Sequence, residues 1–585
     1  MAVVETETLH GKFFKNAWNE PERVALICGE QKISYRDLRI YALQAANHLR
    51  QQGVKKGDKV VVILPRGIAQ VAALLGILAL GAAYVPVGLK QPLARRKKII
   101  ESVAPAAILQ DERFFNESLW EGAIHGDADA AAYVIYTSGS TGEPKGVEMC
   151  HAAAMNTVNA MLDMWDIGAE DTILNISAFD FDLSVFDLFG LLSAGGTVVL
   201  IDEKDYRDPE VWEKLVQTYG ITVWNSAPAL LDMFLTGQRE KNYFQTLRLA
   251  LVSGDWIPLY LPEKWHDVTA ADSRFVALGG ATEGGIWSNC YCVSKTDRSW
   301  YSIPYGKALP GQKYRIVDDD FKECGKNIPG ELQIGGRSLA KGYLNDEKLT
   351  QEKFIIDADG NRWYRTGDRG KYWEDGTIEF LGRMDTQVKI RGHRIELEEI
   401  ESVLKDISGI REAVVVARGN KYHKELLAFY SGDGVIEGDI ENHLRFHLPE
   451  YCIPNVITRV DRFPLNANGK VDRKRLAEDK TVTHADTLSG QSSNAVVTIW
   501  EELLGRRVTD WEENLFKMGA DSLLAVRFVE AVNRRCGIKI HMKDVFQNPT
   551  IRELAAWIGR QEKETVLDVV EEGEISNEGC AEISG

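Results

Sequence analysis

Apolar and polar residues alternate along the chain in blocks whose period changes from one region to the next. Over residues 33–52 apolar side chains recur at helical spacing, and an apolar run at 59–64 has the composition of a buried strand. The same alternation of helix-like and strand-like segments continues to about residue 277. This pattern is typical of an α/β protein with mostly parallel sheets.

The pattern changes after about residue 310, where short strand-like segments separated by Gly-rich turns predict a distorted β-barrel. A smaller α+β pattern follows, then a polar stretch, and then a helical pattern that suits an all-α four-helix bundle. We therefore predict a large subdomain at 1–383, a small subdomain at 384–478, a linker at 479–493, a helical domain at 494–562 and an acidic, disordered tail at 563–585.

Length and charge narrow the class of protein. At 585 residues the chain is too long for one core, and its net charge of −17 argues against a nucleic-acid partner, which needs a basic face. The N-terminal residues lack the basic start and apolar core of a signal peptide, and Gly and Pro interrupt the uncharged stretch 71–88, so we predict no membrane segment. The 8 cysteines are scattered without a C-x-x-C motif, which favours reduced thiols in a cytoplasmic protein.

Candidate chemistry begins at residues 136–146, whose sequence is YTSGSTGEPKG. The segment before it is strand-like, and a strand that runs into a loop of Gly, Ser and Thr exposes backbone N–H groups and hydroxyls. Such a loop forms an anion site, with Lys145 as a mobile positive charge. A flexible surface turn is the alternative interpretation. The chain has no G-x-x-x-x-G-K-[ST] motif, and the loop does not match the dinucleotide motif G-x-G-x-x-G.

Four further segments carry polar residues suited to a nucleotide: GATE at 280–283, YRTGD at 364–368, GRMDTQVKIRGHRIE at 382–396 and PLNANGKVDR at 464–473. Taken singly, the short segments are most often turns, and the long one is a charged exposed strand. Together with the loop, they resemble the amino-acid-adenylating domains of nonribosomal peptide synthetases. The resemblance covers roughly residues 10–475.

The resemblance implies an adenylate-forming fold that uses ATP and Mg²⁺ to make an aminoacyl-adenylate. It implies that Glu283 binds the metal, that Lys470 is the catalytic residue and that Asp385 lies on the hinge between the subdomains. Gly279 stands where the family usually has an aromatic residue against adenine, which leaves that contact to another side chain. The residues that the resemblance assigns to ATP are Thr137, Ser138, Gly139, Ser140, Thr141, Gly142, Lys145, Thr282, Asp368 and Arg383.

The helical region carries a second signature, NLFKMGADSLL at 514–524. On its own, Ser522 could be an ordinary helix N-cap. Because it follows the adenylating region and a linker, the sequence resembles a peptidyl carrier domain, in which this serine receives 4′-phosphopantetheine. The resemblance therefore also implies a phosphopantetheinyl transferase as a partner.

Motif spacing assigns Asp182, rather than Asp180, to the α-ammonium group of an amino-acid substrate. Apart from Lys470, the pocket implied for the substrate side chain has no charged residue, and most of its residues are large, which leaves room for a small, weakly polar group. The set resembles that of cysteine-activating domains, with serine and threonine as competitors. The pocket residues are Leu183, Phe186, Asn225, Leu251, Ser253, Leu278, Ile286 and Trp287, joined by Lys470.

We expect a ligase that makes cysteinyl-AMP and loads cysteine onto its own carrier domain, for nonribosomal peptide or siderophore-type synthesis. Condensation, cyclisation or tailoring enzymes acting in trans are expected as partners, because the chain lacks the H-H-x-x-x-D-G and G-x-S-x-G signatures. A small MbtH-like helper protein is a further candidate partner. Two alternatives stay open: an acyl- or aryl-CoA ligase, which Asp182 disfavours, and a non-enzymatic docking module, which the retained Lys145, Glu283, Asp368 and Lys470 disfavour.

Overall fold

The described part of the chain excludes the predicted linker and tail, so those two predictions cannot be compared with it. Within the described ranges, no helix is both long and apolar enough to cross a membrane. The computed structural model describes residues 7–139, 143–203, 205–236, 241–300, 302–420, 424–435, 437–464, 471–478, 495–504, 508, 511–512, 514–516, 522–536, 538–558 and 560.

Two compact units make up the chain, one of Met1–Phe234 with Arg239–Ala477 and the other of Leu235–Gln238 with Glu478–Gly585. The second unit contains helical residues at 551–558 and the helices Ala495–Leu504, Ser522–Cys536 and Met542–Gln547. Trp500 and Phe528 stack at 4.4 Å in its core. This agrees with the predicted helical bundle.

Two mostly parallel sheets form the first part of the other unit, as the alternating pattern predicts. Their central strands are buried and mostly apolar, as in Leu249–Val252, although Val223–Ser226 carries the buried Asn225 and Ser226. The nine-stranded sheet has the order Lys307–Ala308, Asn289–Cys292, Arg274–Gly279, Leu249–Val252, Val223–Ser226, Thr172–Asn175, Thr197–Leu200, Val24–Cys28, Gln31–Ser34. The six-stranded sheet has the order Gly342–Tyr343, Lys145–Cys150, Ala131–Thr137, Ala83–Pro86, Lys59–Val62, Ala107–Leu109.

Antiparallel strands replace the parallel ones after residue 310, where the sequence predicts the barrel. The five-stranded sheet consists of Gln312–Val317, Gly330–Gly336, Arg362–Tyr372, Phe354–Ile356 and Ile378–Arg383. The remaining strands are the hairpin Val388–Ile390 and His393–Ile395 and a three-stranded sheet of Ile410–Gly419, Lys424–Gly432 and Val456–Arg459.

Helices cover these sheets, and their sequences explain where they start and how they pack. The predicted helix at 33–52 is Tyr35–Gln51, and the Ser34 hydroxyl caps it by accepting from the Asp37 N–H. The uncharged stretch near residue 71 is the buried helix Ile68–Ala79. The other α-helices of this unit are Gly11–Asn19, Leu93–Val103, His151–Met164, Leu183–Val185, Leu191–Ala194, Pro209–Tyr219, Pro228–Leu235, Leu261–Val268, Glu347–Lys353, Leu397–Lys405, Glu437–His447 and Arg473–Glu478.

A buried ion pair joins the predicted large and small subdomains. Arg95, on the helix Leu93–Val103, donates to the carboxylate of Glu399, on the helix Leu397–Lys405. Both side chains are buried, at 5% and 2% exposure. Because removing one partner leaves the other charge buried without compensation, the pair holds the two helices together.

We predict that Glu399→Leu lowers the free energy of unfolding by about 3–5 kcal/mol, because the Arg95 charge is then buried alone. The Arg95→Met/Glu399→Leu double variant, with no charge left, should recover most of that loss. Urea unfolding followed by tryptophan fluorescence measures both. Equal unfolding midpoints for Glu399→Leu and the unaltered chain would contradict a role for the pair.

Candidate active site

The predicted phosphate loop connects the antiparallel strands Ala131–Thr137 and Lys145–Cys150. A Cβ atom at Gly139 would lie 1.9 Å from the carbonyl oxygen of Glu143, so only glycine fits there. The loop therefore turns back closely on itself at the end of the first strand. The predicted phosphate residues Ser140, Thr141 and Gly142 lie outside the described residues.

Two side chains at the base of this loop are poised for an anion. The buried hydroxyl of Thr137 has no hydrogen-bond partner among the described residues. Lys145 Nζ lies 3.5 Å from Oε1 of Glu396, and burial, together with the charge of Arg394, lowers the pKa of Lys145. A bound phosphate would accept a hydrogen bond from the unpaired hydroxyl and would neutralise the charge of the largely desolvated ammonium group.

Glu283, the predicted metal ligand, is fully buried in the turn Thr282–Gly284 and already has partners. Arg394 Nη1 lies 3.1 Å from both of its carboxylate oxygens, and the Tyr343 hydroxyl donates to Oε1 at 2.7 Å. Burial opposes ionisation, but Arg394 and Tyr343 outweigh it and lower the pKa of Glu283 to about 2. The carboxylate is therefore ionised and paired with an internal cation.

Arg394 lies on the two-stranded hairpin of Val388–Ile390 and His393–Ile395. The two turn residues, Arg391 and Gly392, have φ angles of 54° and 82°. This pair of left-handed residues is what a two-residue turn needs to match the twist of its strands.

The hairpin contacts the phosphate loop and two other segments of the chain. The Ser138 hydroxyl donates to the carbonyl of Arg394 at 2.7 Å, and the Gly392 N–H donates to Asp255 Oδ2 at 3.0 Å. A Cβ atom at Gly392 would lie 2.7 Å from that of Ala227. The end of segment 382–396 therefore contacts segments 136–146 and 280–283, so that three of the motifs lie close together.

Arg383 links Asp368, which the resemblance assigns to ATP and specifically to its ribose, to the predicted hinge residue, Asp385. Its Nη1 donates to Asp368 Oδ1 at 2.8 Å and to the Thr366 carbonyl at 2.7 Å, and its Nε donates to Asp385 Oδ1 at 2.9 Å. Burial opposes ionisation of Asp385, but hydrogen bonding to Arg383 lowers its pKa. The side chains of Asp368, Arg383 and Asp385 therefore lie next to one another.

An aromatic cleft lies beside Gly279. It is partly open to solvent and is lined by Gly279, Asp255, Trp256, Tyr305 and Phe380 among others. Tyr305 stacks on Phe380 at 4.9 Å with the rings 5° from parallel. A Cβ atom at Gly279 would lie 2.9 Å from Cζ of Tyr305. The Tyr305 ring therefore takes the space that a side chain at position 279 would need.

The predicted substrate residues lie together. Six of them, all apolar, belong to one hydrophobic cluster: Leu183, Phe186, Leu251, Leu278, Ile286 and Trp287. Trp287 packs against the ring of Phe186 at 5.1 Å and donates from Nε1 to Ser253 Oγ at 2.9 Å. Strand pairing places Asn225 beside Leu251.

Asp182 is buried next to this cluster, and its Oδ2 accepts a hydrogen bond from the Thr282 hydroxyl at 2.7 Å. Burial raises the pKa of Asp182 to about 6, although the hydrogen bond from Thr282 acts against that rise. A cationic partner would stabilise the ionised form of a buried carboxylate of this kind. The contact also joins the predicted ammonium site to the segment 280–283.

Sequence reasoning did not identify Tyr305, Tyr343 or Arg394 as site residues. Arg394 lies inside the motif at 382–396, and its position in that motif could have marked it as a site residue. Tyr305 and Tyr343 carry no local signal, because only strand pairing brings them to the site. Ser522 begins the helix Ser522–Cys536 of the second unit, whereas Lys470 lies outside the described residues.

Comparisons with protein families place three matches along the chain. "AMP-binding enzyme" matches residues 13–344, "AMP-binding enzyme C-terminal domain" matches 399–470, and "Phosphopantetheine attachment site" matches 494–558. Their order is that of the predicted subdomains and carrier.

Curated relatives are longer than this chain. The anguibactin system regulator of Vibrio anguillarum is 42% identical over 95% of the chain and 56% of its own length. Pyochelin synthetase PchE of Pseudomonas aeruginosa is 46% identical over 72% of the chain and 30% of its length. Phenyloxazoline synthase MbtB of Mycobacterium tuberculosis is 35% identical over 100% of the chain and 43% of its length. The chain thus spans about half, or less, of each relative.

A solved structure supports the same division. Holo-PA1221, described as a nonribosomal peptide synthetase protein containing adenylation and carrier domains, matches with a TM-score of 0.79 and 25% identity, over 96% of this chain and 98% of that one. The chain therefore belongs to the AMP-binding enzyme family, as an AMP-forming adenylation domain of the nonribosomal peptide synthetase type followed by a phosphopantetheine carrier domain.

Proposed function

We propose that this chain activates L-cysteine. A carboxylate oxygen of cysteine attacks the α-phosphorus of ATP, the bond from that phosphorus to the β-phosphate bridging oxygen breaks, and cysteinyl-AMP and pyrophosphate form. Ser522 would carry the phosphopantetheine. Its thiol would then attack the cysteinyl carbonyl and lose its proton, so that a thioester would form and AMP would leave. The loaded cysteine is a building block for nonribosomal peptide or siderophore-type synthesis.

The composition of the substrate pocket carries the choice of cysteine. Asp182 supplies the negative charge that an α-ammonium group needs, and the side-chain end has no second charge. Trp287 packs against Phe186, and we take these two rings to form a wall that excludes a large substrate side chain. Two polar residues accompany this wall: Ser253, whose Oγ accepts from Trp287 Nε1, and Asn225, which strand pairing places beside Leu251. A thiol suits such surroundings because it is weakly polar and packs like a small hydrophobic group.

Serine is the second candidate, with threonine as its larger analogue. A structure of FmoA3 described as bound to α-methyl-L-serine-AMP is 33% identical over 80% of this chain, with a TM-score of 0.62. A hydroxyl, however, needs more hydrogen bonds than a thiol when it is buried. The pocket offers few polar atoms, which favours cysteine.

The ATP subsites follow from the same geometry. The loop that contains Thr137, Ser138 and Lys145 holds the β- and γ-phosphates, together with Thr282, and Asp368 holds the ribose beside Arg383. The adenine ring enters the aromatic cleft and packs against Tyr305, which replaces the aromatic residue missing at Gly279. Planar rings gain from stacking of this kind.

Mg²⁺ fits Glu283 provided that Arg394 first moves away from the carboxylate. No group of three or more His, Cys, Asp or Glu side chains suited to a metal occurs among the described residues, so the protein contributes few ligands. That is usual for Mg²⁺, which takes one or two carboxylates and completes its shell with phosphate oxygens and water. Glu283 would hold the ion once Arg394 withdraws from it. When bound, Mg²⁺ neutralises charge on the phosphates.

Lys470 is the proposed catalytic residue, whose ammonium group stabilises the charge that develops at the α-phosphate. Asp385 is the proposed hinge, at the boundary between subdomains 1–383 and 384–478. The proposed partners are a phosphopantetheinyl transferase, condensation, cyclisation or tailoring enzymes in trans and a small MbtH-like helper protein, all in the cytoplasm.

The first prediction concerns the substrate. In ATP–pyrophosphate exchange across the twenty amino acids, cysteine should give the highest kcat/KM, with serine next, because the pocket accepts a small side chain that is weakly polar. Exchange with serine or threonine but not with cysteine would replace cysteine by the second candidate. Exchange with none of the twenty would contradict the whole proposal.

The second prediction separates adenylation from loading. Ser522→Ala should keep pyrophosphate exchange but gain neither phosphopantetheine nor cysteine by intact mass, since the attachment hydroxyl is gone. Lys470→Ala should keep the phosphopantetheine mass but lose about 10²- to 10³-fold in exchange, as expected for one electrostatic donor to the transition state. Ser489→Ala and Lys480→Ala, in the linker, serve as matched controls. Normal loading of Lys470→Ala would disprove its catalytic role.

The third prediction concerns adenine. Tyr305→Ala should raise the KM for ATP about 10-fold through loss of stacking, while Tyr305→Phe, which keeps the ring, should not. The KM for cysteine should stay the same in both variants. Tyr243→Ala, a partly exposed tyrosine outside the cleft, is the control. If Tyr305→Phe weakened ATP binding as much as Tyr305→Ala, stacking would not be the role of this residue.

A further inference from the structure

The amide of Asn225 is held in one orientation. Its Nδ2 donates to Asp187 Oδ1 at 2.7 Å and approaches the Leu183 carbonyl at 3.3 Å. Both of these atoms are acceptors, so rotating the amide by half a turn would place its oxygen against two oxygens. The nitrogen therefore faces Asp187, and the oxygen faces the other way.

That oxygen is left without a partner. Asn225 is fully buried, and among the described residues its Oδ1 accepts no hydrogen bond. Buried acceptors are nearly always paired, to water or a ligand where the protein supplies no donor, so this oxygen is open to a donor on a bound molecule. Because Asn225 belongs to the proposed substrate pocket, the substrate itself is the natural source of that donor.

Asp187 is built into the fold in a way that supports this role. It lies in a π-helical turn, Phe186–Gly190, between the short helices Leu183–Val185 and Leu191–Ala194. Such turns insert an extra residue into a helix and are frequent at functional sites. Here the turn presents Phe186 to Trp287 and the next residue, Asp187, to Asn225.

Both oxygens of Asp187 act as acceptors. Oδ1 accepts from Asn225 and Oδ2 accepts from Asn175 Nδ2 at 2.9 Å. Burial raises the pKa of Asp187 to about 7, and the hydrogen bonds from the two asparagines act against that rise. The charge of Arg66, which donates to the carbonyls of Asn175 and Ile176, also favours the carboxylate. Asp187 accepts from the nitrogens of both amides, and among the described residues neither amide oxygen accepts a hydrogen bond.

We propose that Asp187 is a positioning residue that fixes the Asn225 amide so that its oxygen accepts a hydrogen bond from the thiol or hydroxyl hydrogen of the substrate side chain. The pair thereby selects a side chain that ends in a donor over one of the same shape that ends in a methyl group. This inference rests on the proposed function, because it takes the pocket at Asn225 to be the amino-acid site.

The unaltered chain gives the first test. L-2-aminobutyrate carries a methyl group where cysteine carries its thiol, and it would leave the Asn225 oxygen unpaired. Pyrophosphate exchange should therefore favour cysteine over L-2-aminobutyrate by about 10- to 100-fold in kcat/KM, the cost of one unpaired buried acceptor. Equal use of the two substrates would overturn the inference without any variant. If serine proves to be the substrate, it replaces cysteine in the same comparison.

Asp187→Asn gives the second test. Its amide can satisfy only one of the two asparagine nitrogens as an acceptor, so Asn225 loses its fixed orientation. We expect kcat/KM for cysteine to fall about 10- to 100-fold while that for L-2-aminobutyrate changes by less than about 3-fold, with the KM for ATP unchanged. Asp171→Asn, at a buried aspartate that pairs with Arg248 away from the pocket, should leave the preference intact. If Asp187 had only a structural role, the variant would lower kcat/KM equally for both substrates, and that result would overturn the inference.

Asn225→Leu keeps the test decisive if Asp187→Asn does not fold. It removes the acceptor itself, so the preference for cysteine should be lost. Where both variants fold, Asp187→Asn should have no further effect on the preference in the Asn225→Leu background, because the two residues act as one unit. An additive effect would overturn the inference. If the unaltered chain gave no pyrophosphate exchange with any amino acid, the proposed function itself would be refuted. That result is distinguishable from failure of the inference, in which exchange occurs without the expected preference.

Discussion

The arrangement of the active site depends on the ion pair of Glu283 with Arg394, which contacts both carboxylate oxygens and would repel a second cation placed on the same carboxylate. Both oxygens of Glu283 contact Arg394, and burial makes this pairing close to obligatory, since an isolated buried charge is costly. If Glu283 also binds Mg²⁺, as we propose, the hairpin that carries Arg394 must leave first. Docking of this hairpin and binding of Mg²⁺·ATP at Glu283 then exclude each other.

The same hairpin is held by contacts of several kinds, so its release is expected to be a concerted step. Ser138 binds the backbone of Arg394, Asp255 binds the N–H of Gly392, and the Arg95–Glu399 pair holds the helix that follows the hairpin. Packed elements joined in this way move as rigid bodies about a few residues at their ends. Asp385 lies just before the hairpin, and its partner Arg383 also holds Asp368, which couples the proposed hinge to the ribose site.

The sequence was sufficient to predict the fold class and most of the residues that gather at the site, because strand and helix patterns and short motifs are local signals. It was insufficient where the site depends on residues far apart in the chain. Arg394 and Glu283 are 111 positions apart, and no pattern near either one indicates the pairing. The contact of Tyr305 with Gly279 depends on the pairing of strands, and the π-helical turn at Phe186–Gly190 interrupts an apolar helix without any change in its periodicity.

The difference between a thiol and a hydroxyl in this pocket is a matter of how many hydrogen bonds each one needs. Either group can donate a hydrogen bond to Asn225, although the thiol is the weaker donor. A buried hydroxyl also has two strong acceptor lone pairs, and beside Trp287 and Phe186 the nearby donor is the Ser253 hydroxyl, which already accepts from Trp287 Nε1. The sulfur of a thiol is a weak acceptor that needs no such donor, and it makes favourable contacts with aromatic rings. The proposed pocket, with one oriented acceptor and an aromatic wall, is therefore expected to favour cysteine over serine, even though the two substrates are nearly the same shape.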